Sequence, residues 1–218
     1  MKLAAIYNIW DAEEFLIGSM RQLDGHVDLF ILVYQDVSNF GEQYNPLETL
    51  KYVDWNSFKS TVSMIKYDPI ADMGGIMNER AKRNIGLDGA RQFNSTHFLA
   101  IDCDEYYFDF GSEKKSYFDS GHKGSVCQLY TFFGKPTWRF ETKDGYYVPF
   151  IHELREDTSS GSSSYPFYVD PTRNINESDT VLLPDIYMQH YSWVRKDIDR
   201  KCRNSSAREN IKKGTMLT

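Results

Sequence analysis

Cysteine, long apolar runs and excess positive charge are all scarce in this chain of 218 residues. Its three cysteines, Cys103, Cys127 and Cys202, lack metal-site spacing, and their odd number favours packing roles in a reducing compartment. The longest apolar runs are strand-sized, as at Leu29–Tyr34, whereas a membrane-spanning helix needs roughly 20 apolar residues. We therefore expect a cytoplasmic protein without a transmembrane segment.

The charge balance and the aromatic content exclude two further classes. With 25 Lys and Arg against 31 Asp and Glu, the formal charge is −6, which disfavours a protein that coats nucleic acid nonspecifically. The 15 tyrosines, 14 phenylalanines and 4 tryptophans provide much apolar area, so the chain is not of a disordered class. The length is that of one domain.

The first hundred residues alternate between strand and helix patterns. Apolar runs predict strands over Leu3–Tyr7, Val27–Tyr34, Thr61–Tyr67 and Thr96–Asp102, and helical spacing predicts helices over Asp11–Leu23 and Ile76–Phe93. This order predicts an α/β fold with a mostly parallel, Rossmann-like sheet and helices on both faces. Ligands of such sheets bind beyond the carboxyl ends of the strands, where this chain carries polar clusters.

The rest of the chain has a different texture. Short aromatic-rich segments at 126–133, 137–140 and 146–151 predict a smaller, more antiparallel second half. The serine-rich run 158–164 predicts a mobile loop. From Arg195 to Lys213 there are eight basic and three acidic residues, which predicts a basic helical tail over 195–218 that either meets an anionic acceptor or is a solvated face.

The strongest local motif is Asp102-Cys103-Asp104-Glu105, directly after the strand that ends at Ile101. Carboxylates two residues apart at a strand end can both face a divalent cation, and Mg²⁺ and Mn²⁺ prefer such oxygen ligands. The alternative is that Asp104 and Glu105 only cap the segment that follows the strand.

Four segments together resemble one known family. They are 5–8 followed by Glu13, 80–90 with its Arg-Asn-x-Gly pattern, 97–105 with the Asp-x-Asp motif, and 188–195 with its histidine. Together they resemble the family-2-like group of GT-A fold glycosyltransferases. The resemblance implies a single GT-A-like domain over 1–218, with a nucleotide-sugar half at 1–110, an acceptor half at 111–194 and the tail at 195–218.

The resemblance also implies an activity and a site. It implies a metal-dependent transfer of a sugar from a nucleoside-diphosphate sugar, with uracil as the base, to a hydroxyl acceptor such as a glycan or a hydroxymethylated base in DNA. Asp102, Asp104 and His190 would hold Mn²⁺ or Mg²⁺. The remaining donor-binding residues would be Tyr7, Asn8 and Asp36 at the nucleoside, with Arg83, Asp102 and Arg195 at the diphosphate.

Several of these roles have structural alternatives. Arg83 can instead pair with Glu79 four residues earlier on its helix, and His190 can be a hydrogen-bonded surface histidine. The second strand ends in Gln35-Asp36, where many relatives have two acidic residues, so the sequence departs from the family pattern at Asp36.

The acceptor side carries fewer signals. An inverting transferase needs a carboxylate base to take the proton of the acceptor hydroxyl, and Glu153, which follows the run 148–151, is the candidate. Aromatic side chains nearby can stack on sugars or bases, although core packing is the favoured interpretation. These aromatics are Trp138, Phe140, Tyr146 and Tyr147.

Three other functions compete with glycosyl transfer. A nucleotidyltransferase would carry a glycine-rich loop after the first strand, where this chain has Tyr7-Asn8-Ile9-Trp10. A phosphatase with an Asp-x-Asp nucleophile would carry that motif on its first strand. A non-catalytic nucleotide-sugar or carbohydrate-binding module would bind the donor without consuming an acceptor.

Overall fold

The computed structural model describes residues 1–11, 13–205 and 208. The strands in this part of the chain are β1 (Leu3–Ile9), β2 (Leu29–Tyr34), β3 (Thr61–Lys66), β4 (His97–Asp102), β5 (Glu105–Tyr106), β6 (Gly124–Phe133), β7 (Val148–Glu153) and β8 (Thr180–Trp193). The helices are α1 (Glu13–Leu23), α2 (Leu47–Leu50), α3 (Gly75–Gln92), α4 (Phe110–Ser120) and α5 (Ile198–Asn204), with short 3₁₀ turns at Trp55–Ser57 and Ala71–Met73.

All of these strands form one sheet in the order β3-β2-β1-β4-β7-β6-β8-β5. The pairings among the first four strands confirm the parallel half, since β1 pairs in parallel with β2 and β4, and β2 with β3. In the second half, β7 and β5 are antiparallel to their neighbours, whereas β6 and β8 pair in parallel. Six strands therefore run in one direction and end at one edge, which we call the carboxyl edge.

Helices cover both faces, as the strand–helix alternation predicts. The apolar sides of α1 and α4 bury Leu16, Met20 and Tyr117 on one face, and α3 buries Leu87 and Ala90 on the other. The strands between them are apolar on both faces: Leu29 to Val33 of β2 are fully buried. Such two-sided burial is typical of a strand in a parallel sheet.

In the second half, one predicted strand is absent and one helix was not predicted. Residues 137–140 form no strand but a turn, in which the Trp138 amide donates to the Lys135 carbonyl and a single bridge joins Arg139 to Phe132. Gly134 enters the turn at φ +66°, which favours glycine. The helix α4, at 110–120, is also absent from the sequence prediction.

The predicted basic tail is only partly described. Its visible part contains α5, which begins at Ile198 with the Asp197 side chain accepting from the Arg200 amide. Residues 206, 207 and 209–218 lie outside the described residues. Among the described helices, none is both long and apolar enough to cross a membrane.

Candidate functional site

The ends of β1, β2 and β4 bring three of the predicted residues to the carboxyl edge. Asn8 lies in register between Val33 of β2 and Asp102 of β4. Asp36 follows β2 by two residues, and one of its carboxylate oxygens accepts from Lys66 at 2.9 Å. The parallel register therefore places Asn8 and Asp102 side by side and Asp36 one strand away.

Buried polar atoms without partners are concentrated at this edge. Among the described residues, both amide atoms of Asn8, the indole nitrogen of Trp10, Oε1 of Gln35 and Oδ1 of Asp36 have no hydrogen-bond partner. Each such buried atom costs roughly 1–3 kcal/mol when it stays unsatisfied, so a group of them in one place indicates a polar ligand or ordered water.

Asp102 is held by two arginines from different parts of the chain. Arg83 of α3 lies 3.2 Å from its Oδ1, and Arg173 donates to its Oδ2. Arg173 also donates to both oxygens of Glu105, which in turn accepts from the Asp102 amide at 3.0 Å. Arg83 also pairs with Glu79 at 2.9 Å, which is the structural alternative expected from the sequence, and its role at the diphosphate stays a prediction.

Asp104 has a different arginine and faces the predicted histidine. Arg195 donates to its Oδ2 at 2.6 Å, and Nε2 of His190 lies 3.9 Å from its Oδ1. The antiparallel β5–β8 pairing sets Glu105 opposite His190 and so holds the histidine beside the motif. Nδ1 of His190 is buried and has no partner among the described residues.

Burial and the arginines set the protonation states of these groups. Burial alone would raise the pKa of Asp102, but Arg173 and Arg83 hold it well below its usual range, and Arg195 does the same for Asp104 against its own burial. Burial lowers the pKa of His190 to about 4, against the effect of Asp104. At neutral pH the site therefore has ionised aspartates and a neutral imidazole.

A cavity of about 70 Å³ opens beside these groups. Its lining residues are Asp102, Glu105, Tyr146, Tyr147, Val148, Asp170, Arg173, Met188 and His190. Of the three lining carboxylates, Asp102 and Glu105 are ion-paired with Arg173, whereas Asp170 is in no ion pair with a described residue. Oδ1 of Asp170 instead accepts from the Thr172 amide and hydroxyl, both at 2.7 Å.

The predicted metal ligands fit an ion that is bound jointly with substrate phosphates better than an ion that protein side chains alone coordinate. The described residues contain no group of three or more His, Cys, Asp or Glu side chains placed to hold a metal, and Asp102 is engaged by arginines. Arg195 donates to Oδ2 of Asp104, whereas Oδ1 of this carboxylate faces the neutral His190, and these two atoms are suitable donors. Mg²⁺ is usually bound by one or two carboxylates together with substrate phosphates, and this pair fits that pattern.

Two predicted site residues do not reach the site. Tyr7 is fully buried in the core, where its hydroxyl pairs with Ser19 at 2.9 Å, because its side chain points to the α1 face of β1. Glu153 is paired in register with His97, the first residue of β4, so it lies at the opposite edge of the sheet. The antiparallel direction of β7 makes Glu153 a wrong choice of base and places Tyr146 and Tyr147 at the site instead.

The cations of the tail are largely engaged within the protein. Arg195 pairs with Asp104, and Arg200 lies 3.3 Å from Asp11 and also pairs with Asp197. Arg203 pairs with Glu42 at 3.3 Å. These ion pairs dock α5 onto the carboxyl edge, so the described part of the tail is not a free basic surface for a polyanion.

Several site residues were absent from the sequence prediction. Arg173 and Asp170 are the only charged residues between positions 158 and 176, and that isolation is the one sequence signal that could have identified them. Lys82, on α3, is 4% exposed, and burial lowers its pKa to about 8 while Glu79 and Asp102 raise it. Only the tertiary structure brings these three side chains to Asp102.

A similar architecture occurs in solved structures of S. aureus TarS. The complex of TarS 1–349 with UDP-GlcNAc superposes with a TM-score of 0.52 and 14% identity, covering 87% of this chain and 58% of that one. The UDP complex gives a TM-score of 0.50 and 15% identity, covering 87% and 60%. The fold is that of the GT-A glycosyltransferases.

These similarities have a defined extent. The GT-A-like chain spans between about a third and about three-fifths of the TarS chains, since it covers 36% of a further TarS structure with a TM-score of 0.50 and 14% identity. No protein-family model matches the sequence, and no curated protein matches it. The comparison therefore establishes the fold alone.

Proposed function

We propose that this protein transfers a sugar from a uridine-diphosphate sugar to a hydroxyl acceptor with the help of Mn²⁺ or Mg²⁺. The proposal rests on one observation. Asp102, Asp104 and His190 lie together at the carboxyl edge, next to the side-chain amide of Asn8, which has no hydrogen-bond partner among the described residues. TarS, which has the same fold, binds UDP-GlcNAc and UDP in its solved structures.

The nucleoside is assigned to the unsatisfied groups at the ends of β1 and β2. The side chains of Asn8, Gln35 and Asp36 offer donors and acceptors for a base and a ribose. Trp10 packs edge-on against Tyr44, with ring centroids 5.9 Å apart, and limits the space on this side. A ligand there would satisfy atoms that otherwise lose their hydrogen bonds to water.

The diphosphate is assigned to the neighbouring charged cluster. Asp104 and His190 would hold the divalent ion, which when bound neutralises charge on the departing diphosphate. Arg83 of α3 lies 3.2 Å from Asp102 and, with the buried Lys82 of the same helix, would contribute positive charge. Preorganised cations are effective here because they stabilise charge where it develops in the transition state.

Asp170 takes the place of Glu153 as the proposed base. Its carboxylate lines the same cavity as Asp102 and His190, and its Oδ1 is fixed by Thr172, which leaves Oδ2 for a substrate. In the inverting reaction, Asp170 accepts the proton of the acceptor hydroxyl while that oxygen bonds to the anomeric carbon. The bond from this carbon to the diphosphate oxygen breaks, and its electron pair leaves with the nucleoside diphosphate.

A thermal-shift screen of nucleotide sugars with and without Mn²⁺, followed by detection of released UDP in the presence of acceptors, tests the proposal. A UDP-sugar should raise the melting temperature more when the metal is present, because a ligand that binds only the native state stabilises it. Asp104→Asn and His190→Gln should lose this metal dependence. Asp119→Asn, on the exposed side of α4, is the matched control.

Three outcomes separate the competing functions. Stabilisation by UDP-sugars together with UDP release supports the transferase. Stabilisation without turnover against any acceptor would instead support a binding module. If no nucleotide sugar stabilises the protein, with or without metal, the proposed function is wrong.

A further inference from the structure

Three aromatic rings form an exposed surface at the end of β6. The exposed fractions are 37% for Phe133, 52% for Trp138 and 48% for Phe140, so core packing is a wrong interpretation of Trp138 and Phe140. Phe133 stacks on Phe140 with centroids 4.8 Å apart and lies 6.3 Å from Trp138. We call these three rings the aromatic platform. A contiguous exposed apolar patch on a soluble fold indicates a binding surface.

The platform lies next to the candidate site. The Phe140 amide donates to the Thr131 carbonyl at 3.0 Å, and Thr131 is the register partner of His190 across the β6–β8 pair. Phe133 is likewise the partner of Trp193. Since neighbouring strands are about 4.8 Å apart, the platform begins within about two strand spacings of His190, at the same edge.

The backbone holds the platform in place without a ligand. Phe133 and Trp138 are tied by a hydrogen bond from the Phe133 amide to the Trp138 carbonyl at 3.0 Å, and the Gly134 amide donates to the Trp193 carbonyl at 3.0 Å. A rigid aromatic surface loses little conformational entropy when it binds a partner. The loop is therefore organised for binding before any acceptor arrives.

The basic side chains of the loop at 134–145 contact aromatic rings and a side-chain amide. Lys135 lies 4.7 Å from the centroid of Trp138, and Arg139 lies 4.1 Å from that of Tyr130. Lys143 donates to Gln128 at 2.7 Å. Because Glu141 and Asp144 lie in the same stretch, the loop carries almost no net charge.

This chemistry favours a neutral sugar chain over a nucleic acid. The face of a pyranose ring presents C–H groups that pack on the electron-rich face of an aromatic ring. A nucleic acid would need a continuous positive groove along its phosphates, and the nearest candidate, the visible part of the tail, is ion-paired. We propose that the aromatic platform binds a neutral oligosaccharide acceptor and presents its terminal hydroxyl to Asp170. The inference rests on the proposed function.

Binding is tested on the full chain with cello-, chito- and malto-oligosaccharides as the neutral probes and poly-dT as the nucleic-acid probe. At least one of the oligosaccharides should quench tryptophan fluorescence in the unmodified protein. Trp138→Ala and Phe140→Ala should weaken its binding about tenfold, as for about 1.4 kcal/mol of stacking. Phe108→Ala is the matched control, because this ring is 81% exposed and lies after β5, whose antiparallel direction carries it away from the carboxyl edge.

The outcomes separate this inference from the proposed function. UDP-sugar stabilisation should be the same in Trp138→Ala as in the unmodified protein, because the platform does not contact the donor site. The inference is overturned if no oligosaccharide binds, if binding does not depend on Trp138 or Phe140, or if poly-dT is the probe whose binding those variants weaken. If UDP-sugars fail to bind the unmodified protein, the proposed function itself fails.

Discussion

Arg173 donates to Asp102 at the end of β4, across 71 positions of sequence, and shares the same guanidinium with Glu105. The arginine is 5% exposed, and its pKa is held well above the usual value by Asp102 and Glu105 despite its burial. One side chain from an irregular loop thus neutralises the buried carboxylate of Glu105 and the half-buried carboxylate of Asp102.

Replacing Arg173 should therefore destabilise the protein. Arg173→Gln leaves the buried Glu105 carboxylate without its arginine, and breaking a buried pair costs about 3–5 kcal/mol. Urea denaturation measures the loss. The matched control, Arg203→Gln, removes an arginine that is 57% exposed, where an ion pair contributes about 1 kcal/mol or less. Equal losses in the two variants would show that the Arg173 network is not a major source of stability.

The proposed base makes a kinetic prediction. Asp170→Asn keeps a carbonyl oxygen for Thr172 but cannot take a proton, so kcat for sugar transfer should fall by roughly 10² to 10⁴, the usual contribution of general base catalysis. UDP-sugar stabilisation should stay unchanged, because the substitution leaves the proposed donor-binding groups intact. Asp185→Asn, on an exposed stretch of β8, is the control. Full activity of Asp170→Asn would remove this residue from the mechanism.

Burial of His152 predicts a loss of stability in acid. Its ring is fully buried between Phe98 and Tyr165, and burial lowers its pKa to about 3, against an ordinary value of 6.5. Between these two pH values the unfolded chain binds a proton that the folded chain does not. The free energy of unfolding should therefore fall by up to about 1.4 kcal/mol per pH unit as the pH drops below 6.5.

The His152 contribution can be isolated with a variant. His152→Gln keeps a partner for the Tyr165 hydroxyl, which lies 2.9 Å from the imidazole, and removes the titrating group. Denaturation curves over a pH series should then have a shallower acid slope than the unmodified protein, while the exposed control His122→Gln keeps it. An unchanged slope in His152→Gln would assign the acid loss to other groups.

Gly86 permits the close approach of α3 to the sheet. A Cβ atom there would meet Ile6 Cγ2 of β1 and lie 3.3 Å from Val33 Cγ2 of β2. Gly86→Ala should destabilise the protein by about 1–3 kcal/mol, because overpacking exceeds the gain in helix propensity. Gly145→Ala, where a Cβ meets nothing within 4 Å, is the control and should be close to neutral. Thermal unfolding of both variants measures the difference.

The parallel half of the fold was predictable from local pattern. The run Leu29–Tyr34 is apolar because both of its faces are buried, and the helical spacing over 76–93 agrees with α3 at Gly75–Gln92. Strands of this kind must end at a common edge, so the proximity of Asn8 to Asp102 followed from topology alone.

The choice of Glu153 as the base failed because of strand direction, whereas the strand expected at 137–140 is replaced by a local turn that Gly134 begins. A carboxylate can act as the base only if it lies at the carboxyl edge. Glu153 lies at the opposite edge of the sheet because β7 runs antiparallel to β4. Within the serine-rich run 158–164, whose mobility stays a prediction, the Ser160 amide donates to Asn84 of α3 at 2.8 Å. Neither the direction of β7 nor this contact leaves a trace in the local pattern.

By itself, the sequence determined the strand and helix order of the first half, the common edge at which those strands end, and the Asp102-Cys103-Asp104 motif placed there. Only the tertiary structure decided that Arg173, Asp170 and Lys82 join that motif, and that Trp138 and Phe140 face outward. The physical reason is that strand burial and helix spacing are local properties, whereas charge pairing and exposure depend on which distant segments fold against each other.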